Sequence, residues 1–249
     1  MKRSFWLVLT VLITASLLLP ACAPAGGEVY TAAIDATWPP FEFTDEDGAI
    51  IGFDVDMLNA IAEEEGFEIE FINVAWDPLL AGMATCNYDL SASAMTITEE
   101  RAQSFNFSDP YFAAGQLVAV AFDNTTIGGK DDLAGMTIGV QLGTTGDIEA
   151  QAIEGATVKS YDQIALAFLD LMNGQVDAVI ADNTLVYEYV NQNPEELKYV
   201  GDVFTAEMFG IAVCKDNTEL LEKINHGLAA IKARGVLDEL TAKWFTGGE

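Results

Sequence analysis

Residues 137–181 read TIGVQLGTTGDIEAQAIEGATVKSYDQIALAFLDLMNGQVDAVIA. Thr137–Val140 is a short apolar run of strand type, and Gly143-Thr144-Thr145 leads into a helix from Thr145. A second strand lies around Val158. Tyr161–Met172 then carries helical spacing and stops at Asn173-Gly174, and Val176–Ala181 is a third strand. Strands alternating with helices specify an α/β fold with largely parallel sheets.

The alternation extends both ways. Upstream, strands are expected at Val29–Ile34, at Phe41-Glu42-Phe43 before the turn Asp45-Glu46-Asp47-Gly48, at Phe67–Val74, at Leu90–Met95 and at Gln116–Phe122. Asp54–Glu65 reads as a helix, with Met57, Leu58 and Ile61 on one face and Gly66 as its stop; Pro78–Cys86 reads as another. Downstream come a strand at Gly210–Val213 and two helices. Thr218–Ala233 sets Leu221, Ile224, Leu228 and Ile231 on one face, and Val236–Phe245 follows. No Gly/Ser linker interrupts 29–245, so two domains here must be joined by strands.

Composition removes whole classes of function. Of 249 residues, 51% are apolar, enough for a sizeable core and too many for a disordered chain. Eleven Lys+Arg against 39 Asp+Glu give a net charge of −28, which argues against nucleic acid and against docking on an anionic leaflet. The single histidine, His226, excludes multi-histidine metal sites, so no metal is expected, and a Ser-His-Asp triad would have to use it. There is no G-x-S-x-G, Walker A, G-x-G-x-x-G or C-x-x-C. No cofactor is expected.

The N-terminus reads as an address. Lys2 and Arg3 precede the uncharged apolar stretch Phe5–Leu19, the pattern of an export signal over residues 1–21. Leu19-Pro20-Ala21-Cys22 resembles a bacterial lipobox, which makes Cys22 the lipidated first residue and 22–28 a short tether. An exported chain meets an oxidising compartment, where the two remaining cysteines, Cys86 and Cys214, are expected to pair; the sequence does not give the geometry.

Arginine is the informative rarity. After residue 21 only Arg101 and Arg234 remain. Arg234 precedes Gly235 at a helix end and reads as a structural complement to the helix dipole. Arg101 lies just beyond a buried strand, where a guanidinium can offer a two-donor fork to a carboxylate; taken alone, an ion pair with Glu99 or Glu100 is the plainer reading. The acidic runs Asp45–Asp47 and Glu63–Glu65 read as solvated surface.

Arg101 is not alone. Asp35-Ala36-Thr37-Trp38-Pro39-Pro40-Phe41-Glu42-Phe43, Gly52-Phe53-Asp54-Val55-Asp56, Thr96–Arg101, Phe107-Ser108-Asp109-Pro110-Tyr111, Gly143-Thr144-Thr145 and Asp177–Asp182 occur in this order. The ordered set closely resembles family 3 of the bacterial extracytoplasmic solute-binding proteins, the receptors of polar amino-acid ABC importers. The resemblance covers about residues 29–246.

It implies a two-lobed α/β fold of the periplasmic-binding-protein type, its lobes joined by two crossing strands around a ligand cleft. Lobe 1 would be 29–111 with 210–249, and lobe 2 would be 112–209. Arg101 would clamp an α-carboxylate, aided by the Thr96 hydroxyl and by Thr144 and Thr145 at a helix start, where free N–H groups favour an anion. Asp182 and the carbonyl of Ala94, next to Met95, would take an α-ammonium. Trp38 and Trp76 would sandwich the side chain, Trp38 as a loop residue with an exposed ring. Asp35 would meet the far end of a basic or amide side chain, with Gln141 and Ala181 at positions that vary with ligand. The function implied is that of an extracytoplasmic, lipid-anchored, monomeric receptor, not an enzyme, delivering a basic amino acid, arginine first, to the permease of an ABC importer. A glutamine receptor, a dehydratase-like enzyme and a sensor on the same fold are the alternatives.

Overall fold

The computed structural model describes residues 27–245; the export signal and Cys22 lie outside the described residues. Two five-stranded sheets organise the chain. The first runs Glu68–Asn73, Val29–Ile34, Leu90–Ser91, Ala212–Val213, Asn106–Phe107, and the second Thr157–Tyr161, Thr137–Gln141, Ala178–Asp182, Gln116–Ala121, Leu197–Val200. In each sheet the first three strands are parallel and the last two pairings antiparallel. The expectation of largely parallel sheets therefore needs correction: the sheets are mixed. The cause is topological. The strands that return from the other sheet, Gln116–Ala121 and Ala212–Val213, arrive without a crossover helix and can only pair antiparallel.

Two short strands carry the chain between the sheets. Phe112–Ala114 leads from the first sheet into the second, Glu207–Phe209 leads back, and the two pair antiparallel. Phe112 and Phe209 join Phe41, Phe53 and Phe245 in one aromatic cluster, with Phe41 edge-on to Phe112 at 5.0 Å and to Phe209 at 5.3 Å. The crossing is thus built on a packed apolar knot.

The helix Phe53–Glu65 starts where Gly52 lets the backbone press against Phe41, since a Cβ there would lie 2.1 Å from the Phe41 carbonyl oxygen. It packs on Thr218–Ala233, whose buried face is Leu220, Ile224, Gly227, Leu228 and Ile231. The acidic run at the end of the first helix is not wholly free in solvent. Glu64 pairs with Arg234 at 2.8 Å and Glu65 with His226 at 2.5 Å, which is the structural use of Arg234.

Several boundaries move for local reasons. The strand expected at Leu90–Met95 ends at Ser91, and Ala94 then adopts a φ of 43° that no strand tolerates. The helix expected at Pro78–Cys86 is Trp76–Ala84, with Pro78 inside the first turn, where it costs no hydrogen bond. The helix expected from Tyr161 starts at Ile164, because Tyr161 still pairs with Gln141 in the sheet. A helix at Asn183–Gln192 was not expected from the sequence at all. Cys86 and Cys214 form a disulfide with a Cα separation of 5.0 Å. No described helix is long and apolar enough to cross a membrane.

Candidate ligand-binding cleft

A pocket opens where the carboxyl ends of both sets of parallel strands face each other. Asp35 follows Val29–Ile34, Trp76 follows Glu68–Asn73, Ser93 and Ala94 follow Leu90–Ser91, Thr144 and Thr145 follow Thr137–Gln141, and Asp182 ends Ala178–Asp182. This is where an α/β sheet presents free side chains to a ligand.

Arg101, Thr96 and Asp182 form one group in the lining. The Arg101 guanidinium stacks 5.1 Å from the Trp76 ring centre and donates to the Thr96 carbonyl at 2.9 Å and the Gly143 carbonyl at 3.1 Å. It makes no ion pair among the described residues, so the plainer pairing with Glu99 or Glu100 is absent. Burial pulls its pKa down to about 10, against the nearby charges of Asp182, Glu207 and Glu100. Burial pushes Asp182 up to about 8; the charge of Glu207 adds to this and Arg101 opposes it.

Behind this group lies Glu207, on the returning crossing strand. Its Oε2 accepts from the hydroxyls of Thr96 at 2.7 Å and Thr145 at 2.8 Å, and its Oε1 from Thr205 at 2.7 Å. Gln116 links Thr145 to Asp182, with its Nε2 donating to each, at 3.0 and 3.2 Å.

The second group is acidic. Asp35 Oδ1 accepts from the Thr37 hydroxyl at 2.8 Å and Oδ2 from Gln141 Nε2 at 2.9 Å, a bond between the two sheets. Burial raises its pKa against these bonds. Glu42, fully buried between two phenylalanines, accepts from Ser93 Oγ at 3.0 Å. Burial first, then the charge of Asp54, holds Glu42 well above the carboxylate range. Burial likewise lifts Asp54 to about 7. Asp54 Oδ2 accepts from the Ala94 N–H and from the Tyr111 hydroxyl, both at 2.8 Å, which fixes the left-handed Ala94 peptide at the pocket wall.

Among the described residues, the buried polar atoms without a hydrogen-bond partner include the indole nitrogens of Trp38 and Trp76, while the buried acids Glu42 and Asp54 pair with each other. Trp38 sits in the two-residue strand Thr37–Trp38 and is only 7% exposed, so the expected open loop position is corrected. Its ring forms wall rather than rim.

Of the residues expected at a binding site, Asp35, Trp38, Trp76, Ala94, Thr96, Arg101, Thr144, Thr145 and Asp182 line this one pocket. Met95 does not. Its side chain packs in the core with Leu79, Met83 and Phe105, because the turn at Ala94 sends it to the other face. Gln141 stands behind Asp35 rather than in the lining. The Thr144 hydroxyl donates to the Gln141 carbonyl and caps Asp147 N–H, which commits it to the backbone. The helix it opens has 7 residues, so its dipole is small and Arg101 is the main cation of the cleft. Sequence reading missed Glu42, Ser93, Asp54, Gln116 and Glu207. Only Glu42 carried a signal, an acid inside the apolar run Phe41–Phe43.

The profile of the bacterial extracellular solute-binding proteins, family 3, matches residues 30–247. An Escherichia coli K12 protein named as ABC transporter arginine-binding protein 1 is 38% identical over 89% of this chain and 92% of its own. A Neisseria gonorrhoeae protein named as a probable histidine-binding protein is 34% identical over 98% of this chain and 97% of its own. Among solved structures, an ancestral arginine-binding protein bound to arginine superposes with a TM-score of 0.85 at 42% identity, covering 88% of this chain and 99% of that one.

Proposed function

Since the chain belongs to family 3 of the bacterial extracellular solute-binding proteins, we propose that it is the receptor of an ABC importer and captures a basic amino acid, arginine first. The single observation behind this reading is the pairing, in one pocket, of a zwitterion clamp, Arg101 with Asp182, and an acidic group, Asp35 with Glu42, between two tryptophans. Arg101 takes the α-carboxylate as a planar fork. Asp182 takes the α-ammonium. A guanidinium gains from the faces of Trp38 and Trp76 and from the carboxylate of Asp35, and its charge favours ionisation of Glu42 beside it. An acidic side chain would set a further carboxylate against Asp35 and is rejected. The names of the relatives, arginine- and histidine-binding among them, support the cationic choice.

The lobes of this reading are 29–111 with 210–249, and 112–209. The chain works as a monomer outside the cytoplasm. Export by residues 1–21 and lipidation at Cys22 would hold it near the permease, and the apolar stretch Phe5–Leu19 after Lys2 and Arg3 supports this. Binding without chemistry fits a pocket whose Arg101 and Asp182 are both occupied by the ligand's own charges.

A thermal-shift screen of the protein from residue 23 onward against the twenty amino acids tests the reading. Arginine is expected to give the largest stabilisation, followed by other basic residues. Glutamine ranking above arginine, or tight binding of glutamate, overturns it.

A further inference from the structure

Glu207 belongs to no part of the clamp just described; it sits where the returning chain passes from one sheet to the other. Before it, the chain is bonded to Gln116, the first residue of the strand Gln116–Ala121. The Phe204 N–H donates to the Gln116 carbonyl at 3.0 Å, and the Gln116 N–H donates to the Thr205 hydroxyl at 2.7 Å. After it, the chain is bonded to the segment that follows Leu90–Ser91. The Ile97 N–H donates to the Met208 carbonyl at 2.9 Å and the Gly210 N–H to the Met95 carbonyl at 3.0 Å. The outgoing crossing changes sheets at the facing position: Glu207 pairs with Ala114, and Gly115 next to it is bonded through both its N–H and its carbonyl to Asn183. A rotation of one half against the other pivots here.

The Glu207 side chain spans that pivot. Thr96, on the side of the first sheet, and Thr145, which opens the helix after Thr137–Gln141, donate to one oxygen, Oε2, at 2.7 and 2.8 Å. Thr205 donates to Oε1 at 2.7 Å. Hydroxyl bonds extend over only about 2.5–3.0 Å, so shifting Thr145 by about 1 Å leaves Oε2 with one of its two partners. Resting on the reading of this pocket as an amino-acid site, we infer that Glu207 is a positioning residue for closure: its carboxylate latches the two halves in the register a ligand needs. It acts from behind the cleft, since it is not part of the pocket lining. Affinity then carries the populated fraction of the latched register as a factor common to every ligand. The choice among side chains stays with Asp35, Trp38 and Trp76.

Small-angle X-ray scattering and calorimetry on the parent, Glu207→Ala, Glu207→Gln and Thr145→Val test the latch. Unliganded Glu207→Ala is expected to have a larger radius of gyration than the unliganded parent, and the two to coincide once saturated with L-arginine. Glu207→Ala is expected to weaken L-arginine, L-lysine and L-histidine by one common factor, roughly ten- to a hundredfold, the range for hydrogen bonds to a charged group. Glu207→Gln keeps an oxygen that can accept both hydroxyls and should lose less than Glu207→Ala in both measurements. Unliganded Thr145→Val should open as far as Glu207→Ala, and the double variant no further, because both break the same bridge. An unchanged unliganded radius in Glu207→Ala, or unequal losses among the three ligands, overturns the inference. So does a Glu207→Gln as poor as Glu207→Ala, which would assign the effect to charge. A parent that binds none of the three overturns the underlying reading, while the unliganded radii still decide the latch.

Discussion

Asp182, held near 8 mainly by burial, ties ligand binding to protons. Between its ordinary 3.8 and about 8 the folded chain keeps a proton that the unfolded chain has lost. Stability without ligand therefore falls as pH rises through that window, and Asp54, held at about 7, acts in the same direction. A ligand ammonium favours the ionised form of Asp182 and expels the proton. Affinity for a basic amino acid should accordingly climb as pH rises toward 8. Calorimetry at about pH 6 in two buffers of different ionisation heat should report net proton release on binding; uptake would contradict the assignment. Glu42 gives a second expectation at this scale. It lines the pocket that also holds Asp35. Glu42→Gln should weaken arginine by at least tenfold, about 1.4 kcal/mol, and neutral amino acids far less. Equal loss across ligands would reduce Glu42 to a structural acid.

The helix Thr145–Gln151 shows how an element holds the site in place. A Cβ on Gly146 would lie 2.8 Å from Gln116 Oε1 and 2.9 Å from the Ile180 carbonyl oxygen, so only glycine lets the helix sit this close to the strand that ends in Asp182. Helix propensity by itself predicts that Gly146→Ala stabilises by about 1 kcal/mol. The contact predicts the reverse, a loss of about 1–3 kcal/mol from overpacking together with weaker ligand binding. Urea denaturation and calorimetry on the one variant decide the sign. The elements themselves were legible where one face is buried at a regular spacing. Thr218–Ala233 follows its pattern at Ile224, Leu228 and Ile231, which all reach the core, while Leu220 rather than the expected Leu221 is fully buried. Asn183–Gln192 was not legible, because only Leu185 and Val186 are buried and its Val and Tyr content favours strand. The crossing strands were hidden as well: Phe112–Ala114 and Glu207–Phe209 have three residues each, too few for alternation to register. Of the cleft, most of the lining residues were found through the ordered motifs. The residues that orient them were not, since Glu207 finds Thr96 across 111 positions and nothing in either neighbourhood announces the other.

For the molecule as a whole, the disulfide is the largest single constraint on the unfolded chain. Cys86 and Cys214 stand 128 positions apart, and closing so long a loop is worth about 3–5 kcal/mol. The Cys86→Ser, Cys214→Ser double variant should lose that much in urea denaturation while keeping its ligand preference, because neither cysteine lines the pocket. A variant that holds its stability would show that the folded state absorbs the link as strain.

The same bond has a mechanical side. The entire second sheet, from Gln116 to Val200, lies inside the covalent ring that Cys86 and Cys214 close. Pulled from its two ends, the chain passes tension from residue 86 across the sulfurs to residue 214, and everything between hangs slack as a side loop. One half of the cleft thus sits outside the load path. A single proteolytic cut anywhere in that loop would leave one covalent particle, which separates into two pieces only under reduction.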